Sequence, residues 1–183
     1  MKKVLKFSGI FALLLGAVGF ILMMATPALT YSASGFGGAV SGSGWISGVA
    51  AIFGKGPQHL EGTIPVIGNL GGDGNFEGTL AWNALLAFIF AIVAVVIVCL
   101  GVVLPLLKIK ALEKFSGILS LVAIGLFVAA GVFLFFTVPA FSAANNGGYD
   151  DWTLGAGWII GAILYLVAAA FAALPVVAQI LKK

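Results

Sequence analysis

Four long apolar runs alternate with polar or glycine-rich segments along the whole chain. The runs are residues 4–25, 80–107, 115–141 and 154–181, and apart from Lys6 near the start of the first run they hold no charged residue. A helix needs about 20 apolar residues to cross the hydrocarbon core of a bilayer, and one charge at its centre costs about 2.5–3.5 kcal/mol. The pattern therefore predicts four transmembrane helices.

The composition agrees with a bilayer as the solvent. The 183 residues are 62% apolar and 8% charged, with a mean hydropathy of +1.20, whereas soluble domains carry about 25% charged residues. We expect one domain, residues 1–183, that is an all-α integral membrane protein: a four-transmembrane-helix bundle with a small glycine-rich extracellular cap. The chain has no arginine and one cysteine, Cys99. This composition argues against nucleic-acid binding and excludes an intrachain disulfide.

The lysines indicate which way the helices cross. Segments 2–6, 108–114 and 182–183 together hold eight lysines and Glu113, a net charge of +7. The remaining segments hold Lys55 and five acidic residues, a net charge of −4. Because cytoplasmic segments are enriched in Lys and Arg, we expect a multi-pass protein of the cell membrane with both termini cytoplasmic. A long loop, 27–79, and a short loop, 142–153, would then lie outside.

A secretory signal peptide is the alternative interpretation of the first run. Lys2 and Lys3 precede an apolar core, and Ala25-Thr26-Pro27-Ala28 offers small residues for cleavage. The run is longer than the usual h-region of about 7–15 residues. We therefore expect residues 4–25 to remain as a helix.

Segment 27–79 has room for a separate function. Its 14 glycines suggest a flexible linker, but its apolar residues are too numerous for a disordered segment. We expect an extended run at 63–67, a turn at 71–75, and a short interfacial helix. The apolar face of that helix would consist of Trp45, Val49, Ile52 and Phe53. Because such a cap has little core of its own, a partner or lipid headgroups should help to stabilise it.

Asp73-Gly74-Asn75-Phe76-Glu77-Gly78 matches the start of a calcium-binding loop. Asp73, Asn75 and Glu77 supply oxygen atoms at the first, third and fifth positions, and a glycine follows. The carboxylate required at the twelfth position would fall on Ala84, inside the second apolar run. Asp150 and Asp151 could in principle replace it. We interpret the stretch as a polar turn and assign no metal ligands to it.

His59, the only histidine, lies two residues before Glu61. A zinc site needs three or four ligands, and no nucleophile pattern accompanies this acid–base pair. We therefore interpret His59 as an exposed loop residue and predict neither catalytic nor cofactor-binding residues. The alternative is a membrane enzyme that uses His59, Glu61 and Asp73.

Polar and small residues within the runs favour helix packing over transport. An ion or proton path usually contains an intramembrane carboxylate, histidine or basic residue. The polar residues here include instead Asn83, Cys99, Ser116, Ser120, Thr137, Tyr165 and Gln179. The pairs Ala12/Gly16 and Gly157/Gly161 should let helices pack closely within the molecule, with dimerisation as the alternative. An aromatic belt at the outer boundary is expected from Trp45, Trp82, Trp152 and Trp158.

This topology resembles the claudin and peripheral-myelin-protein type of tetraspan. The shared features are cytoplasmic termini, a long first outer loop, a short inner loop and a shorter second outer loop. In that family the first outer loop carries a Trp, then Gly-Leu-Trp and two disulfide-bonded cysteines; here Gly44-Trp45-Ile46 is the nearest fragment and the loop has no cysteine. The resemblance implies a non-catalytic role in contacts between membrane proteins or cells.

These observations predict a non-enzymatic tetraspan protein that acts in assembly or interaction. It would be an accessory subunit or a self-associating structural protein, without a cofactor. Its expected partners are the lipid bilayer and either further copies of the chain or a larger membrane complex. The alternative is a subunit of an oligomeric channel or transporter, because the net charge of −4 on the outer segments could concentrate cations.

Overall fold

The computed structural model describes residues 2–35, 40–64, 67–103 and 110–180. In chain order its elements are α1 (Lys2–Ala25), β1 (Pro27–Gly35), β2 (Val40–Ser47), α2 (Gly48–Phe53), β3 (Lys55–Ile64), β4 (Gly68–Glu77), α3 (Trp82–Val103), α4 (Lys110–Phe135), α5 (Thr137–Ala144), β5 (Thr153–Leu154) and α6 (Ala156–Ile180).

Within those residues, four helical stretches are long and apolar enough to cross a membrane. They are Phe7–Ala25, Trp82–Val103, Gly117–Phe135 and Ala156–Ala178. The chain is therefore a membrane protein. The ends predicted for the second and fourth runs, residues 107 and 181, lie outside the described residues.

The expected all-α fold is wrong, because the segments between the helices form a β-sheet. The described residues contain a five-stranded antiparallel sheet in the order β4-β3-β2-β1-β5. Four strands come from the segment between α1 and α3, and β5 precedes α6. The chain is thus a mixed α/β protein with four apolar helices.

Two local predictions within segment 27–79 are also wrong. Trp45 lies in β2 rather than in a helix, and the helix α2 begins only at Gly48. Residues 71–75 are not a turn, because they belong to β4, which pairs with β3 from Lys55↔Glu77 to Ile64↔Gly68. The predicted extended run at 63–67 falls partly outside the described residues, at 65–66.

Local chemistry explains the boundaries of α2. The Ser47 side chain caps the N-terminus by accepting a hydrogen bond from the Ala50 N–H at 3.2 Å. Gly54 ends the helix in the left-handed region, with φ of 75°, and donates its N–H to the Ala50 carbonyl. Glycine adopts this conformation without the steric cost that a Cβ would impose.

The chain divides into two compact units. The helix unit comprises the described parts of 1–21, 87–132 and 160–183, and the sheet unit comprises those of 22–86 and 133–159. Small residues allow close packing in the helix unit: a Cβ on Gly16 would lie 2.7 Å from the Phe127 ring, and one on Gly19 would lie 3.0 Å from the Tyr165 ring. A Cβ on Gly125, in contrast, would meet no atom within 4 Å.

In the sheet unit, hydrogen bonds join the helix ends and the short segment that flank β1 and β2. The Trp158 indole N–H donates to the Met23 carbonyl at 2.9 Å, in the last turn of α1, where helix carbonyls lack intrahelical partners. The Gly48 N–H donates to the Thr26 carbonyl at 3.1 Å. A Cβ on Gly48 would come within 1.9 Å of the Met23 carbonyl oxygen, so this approach requires glycine.

A break separates α4 from α5 inside the run predicted as one span, 115–141. Pro139 has no N–H to donate to residue 135, and its ring clashes with that carbonyl. The Phe133 carbonyl accepts the Asn83 side-chain N–H at 3.0 Å and the Thr137 hydroxyl at 3.4 Å. Asn83 and Thr137 therefore stabilise the break with hydrogen bonds to the Phe133 carbonyl.

Candidate functional site

The sheet has two chemically different faces. Side chains alternate between the faces along each strand, and the register places Thr30, Trp45, His59 and Asp73 on one of them, which we call the polar face. The opposite face, the glycine face, carries glycines in neighbouring strands, with Gly42 opposite Gly62 and Gly44 opposite Leu60.

A continuous row of side chains crosses the polar face from β5 to β4. Thr153 and Thr30 bring their hydroxyls within 3.1 Å, and Thr30 pairs with Trp45 in the next strand. The Trp45 and His59 rings stack with centroids 6.2 Å apart and planes at 13°. His59 Nδ1 then lies 2.8 Å from the Asp73 carboxylate on β4. Cross-strand pairs of this kind help to fix strand register.

A carboxylate lies beside each ring nitrogen of His59. Nδ1 faces Asp73 at 2.8 Å, and Nε2 lies 3.5 Å from Glu61. The hydrogen bond to Asp73 is the main reason that the pKa of His59 is raised, with Glu61 adding to the effect. The structure thus brings together His59 and Glu61, the acid–base pair of the sequence, with Asp73, which the alternative of a membrane enzyme added. Because both nitrogens face acceptors, neither is directed at a nucleophile.

The calcium-type loop does not form. Asp73, Asn75 and Glu77 occupy alternate positions on β4, so their side chains are spaced about 7 Å apart along the strand. Glu77 pairs with Lys55 at 3.9 Å, and Asp150 accepts a hydrogen bond from the Ser142 hydroxyl at 2.5 Å. In the described part of the chain, no group of three His, Cys, Asp or Glu side chains could hold a metal ion.

A cleft of about 350 Å³ opens on the glycine face. Its walls include Tyr31, Trp152, Leu60 and Leu70. A second cleft of about 420 Å³ shares Tyr31 and Leu70 and is also lined by Ala33, Val40 and Ile64. Leu60 and Leu70 remain 43% and 47% exposed. The part of the glycine face that lines these two clefts, which we call the cleft region, is therefore an apolar surface with glycines beneath it.

A chain of aromatic contacts supports one wall of this cleft. Tyr31 stacks on Trp152 at 5.6 Å, and Trp152 contacts Tyr149 edge-on at 5.3 Å. Tyr149 in turn contacts Phe141 at 5.0 Å, and Phe141 contacts Phe76 of β4 at 5.2 Å. Burial raises the pKa of the Tyr149 hydroxyl above its ordinary value. The cluster joins the segment before β5 to the sheet.

The four tryptophans differ in exposure. Trp82 is 68% exposed at the start of α3, but Trp158 is fully buried. Trp45 and Trp152 stack on His59 and Tyr31, respectively. The aromatic belt stays a prediction.

Sequence reasoning missed the pairing of Trp45 with His59 and of Tyr31 with Trp152. The available signal was the alternation of polar residues with glycine in Ser41-Gly42-Ser43-Gly44, which has the period of a strand.

Comparison with known proteins does not place the chain in a family: no family model and no curated protein sequence matches it.

Proposed function

We propose that this chain is a non-enzymatic, multi-pass protein of the cell membrane that acts in assembly or interaction, as an accessory subunit or a self-associating protein. The sheet is its contact surface. One observation carries the proposal: in the cleft region of the glycine face, Leu60 and Leu70 are exposed beside the aromatic rings of Tyr31 and Trp152.

Exposed apolar clusters outside the membrane-spanning helices favour an interaction role. Contiguous apolar patches on protein surfaces commonly mark interaction sites, and buried interface cores are enriched in aromatic side chains such as Tyr31 and Trp152. The glycines beneath the cleft region, Gly42 and Gly62, add a second advantage, because a partner can approach the strand backbone without meeting a Cβ.

The charge distribution supports an outer location for the sheet. Lysine clusters at both ends and at 108–114 favour cytoplasmic placement of those segments, and the strand-bearing segment would then face outwards. The topological resemblance to claudin-type tetraspans points to the same class of non-catalytic contact role.

The His59 cluster supports binding more than catalysis. A general base must reach the proton that it removes, but both ring nitrogens of His59 already face carboxylates. The pair geometry suits a structural or electrostatic role on an exposed sheet face.

The test is recovery of partners from mild detergent, with mass spectrometry to identify co-purified chains and light scattering to detect self-association. Burying a leucine contributes about 1.5–3 kcal/mol. In the double variant Leu60→Ser/Leu70→Ser, the amount of co-purified partner or of oligomer should therefore fall about tenfold or more.

Ile67→Ser is the matched control, because Ile67 is 65% exposed and lies outside both clefts; it should behave like the wild type. A monodisperse wild-type monomer without any co-purified chain would refute the proposal.

A further inference from the structure

We propose that the open edge of β4 binds an extended, basic segment of a different polypeptide as an additional strand. The inference rests on the proposed interaction function and specifies the chemistry of one partner. Four observations carry it: the place of β4 in the sheet, the direction of its backbone groups, the weak cover over them, and the charge of its side chains.

β4 is an edge strand. In the described residues it pairs with β3 over its full length, Gly68–Glu77, and no strand pairs with its other side. Edge strands present unpaired backbone donors and acceptors that can template the addition of another strand. Gly71 and Gly72 have φ of 108° and 151°, so the regular part of this edge is Asp73–Glu77.

The register determines which backbone groups point outwards. Pro57 lies opposite Asn75, and proline has no N–H to exchange, so this is a non-hydrogen-bonded pair of the β3–β4 ladder. The N–H and C=O of Asn75 therefore point away from β3. Hydrogen-bonded and non-hydrogen-bonded pairs alternate along the ladder, so the backbone groups of Asp73 and Glu77, two residues away on either side, also point away from β3. An incoming strand would therefore face outward-pointing backbone groups on three residues.

The cover over this edge is weak and local. The Gln58 side chain passes close to Gly74, where an added Cβ would lie 3.9 Å from Nε2 of Gln58. It donates a hydrogen bond to the Asn75 carbonyl at 3.5 Å. A bond of this length is at the limit of hydrogen-bond geometry. An added strand would replace it with a shorter backbone bond.

Charge selects the partner. Asp73 and Glu77 project on the polar face with 88% and 74% of their side chains exposed, and Glu61 on β3 is 48% exposed. Lys55 lies 3.9 Å from Glu77, so these three carboxylates outnumber the one lysine beside them. Antiparallel pairing of two copies of β4 about Asn75 would set Asp73 opposite Glu77, and like charges directly opposite each other are destabilising. A strand with Lys or Arg at alternate positions would pair with both carboxylates.

The probe is a dye-labelled heptapeptide of alternating lysine and threonine, added to the full-length protein in detergent micelles. Two matched peptides serve as controls: one with glutamate in place of lysine, and one methylated on the backbone nitrogens of its lysines. Binding of the first peptide only, with slowed amide hydrogen exchange at Asn75 and Glu77, is expected. Equal binding of the methylated peptide would overturn the inference, because that peptide keeps the charge but cannot pair as a strand.

Variants of the edge test the same geometry from the protein side. Asn75→Pro removes the outward N–H without touching the β3 ladder, and should abolish peptide binding while the amides of β3 stay protected. Asp73→Asn/Glu77→Gln should lower the affinity about tenfold and weaken its salt dependence. Asp151→Asn, an exposed carboxylate outside the strands, should have no effect. Unchanged affinity in the double variant would contradict the role of charge.

Two further outcomes separate this inference from the proposed function. If wild type and Asn75→Pro retain the same partner in detergent, the edge inference fails and the interaction function stands. Tighter binding of a peptide copied from residues 68–77 than of the lysine peptide would also overturn it, in favour of a second copy of the chain.

Discussion

His59 is a side chain whose ionisation is coupled to the sheet. The hydrogen bond to Asp73, supplemented by Glu61, raises the pKa of His59 above its ordinary value of about 6.5. Protonated His59 therefore stabilises the folded state. This stabilisation is complete below the ordinary pKa, which applies to the unfolded chain, and it is lost as the pH rises through the raised pKa of the folded state. We predict that thermal stability falls as the pH is increased from about 6.5.

The measurement is a melting series across that pH range, together with an NMR titration of the imidazole. Because the chain has one histidine, the titration is unambiguous. His59→Gln should remove the pH dependence, and Asp73→Asn should move the pKa of His59 back towards its ordinary value. Glu61→Gln should have the smaller effect, and an equal effect would contradict the ranking of the two carboxylates.

Among the elements, the C-terminus of α5 is clamped to the segment that joins β4 to α3. The Asn145 side chain accepts the Thr79 N–H at 2.9 Å, and donates to the carbonyls of Thr79 at 2.9 Å and Phe141 at 3.0 Å. Asn145→Ala should lower the free energy of unfolding by about 1–3 kcal/mol. Denaturant titration in detergent micelles measures this change.

Asn145→Asp distinguishes the clamp from a general surface effect. Aspartate keeps the acceptor for the Thr79 N–H but replaces two donated bonds with a carboxylate oxygen that faces two carbonyls. At neutral pH, Asn145→Asp should lower the free energy of unfolding at least as much as Asn145→Ala does. Asn146→Gly is the control: Asn146 has φ of 62°, a conformation that glycine adopts freely, so its change should stay within about 0.5 kcal/mol.

For the molecule as a whole, the lysines predict how it lies in the membrane. An impermeant amine reagent applied to intact cells should tag Lys55, whose side chain is 77% exposed on β3. The lysines at 2–6, 108–114 and 182–183 should react only after the membrane is permeabilised. Mass spectrometry of the tagged peptides provides the measurement, and tagging of Lys110 in intact cells without Lys55 would contradict this orientation.

The strands were harder to predict than the helices, for a reason visible in particular residues. A strand is normally recognised by apolar side chains at every second position. Here those positions on the glycine face are often Gly42, Gly44, Gly62 and Gly72, so the apolar half of the pattern is missing. Because glycine is also typical of turns and linkers, the sequence pattern does not reveal the sheet.

The sequence alone determined that the chain has four apolar helices, because hydrophobicity is a local property that twenty consecutive residues either have or lack. It also singled out His59, Glu61 and Asp73 as candidate partners. Only the tertiary structure decided that Asp73 meets His59 and that β4 lies at the edge of the sheet. Such pairings depend on backbone hydrogen bonds between residues far apart in the chain, and backbone groups are the same in every non-proline residue. Side-chain composition therefore could not specify which strand would lie beside which.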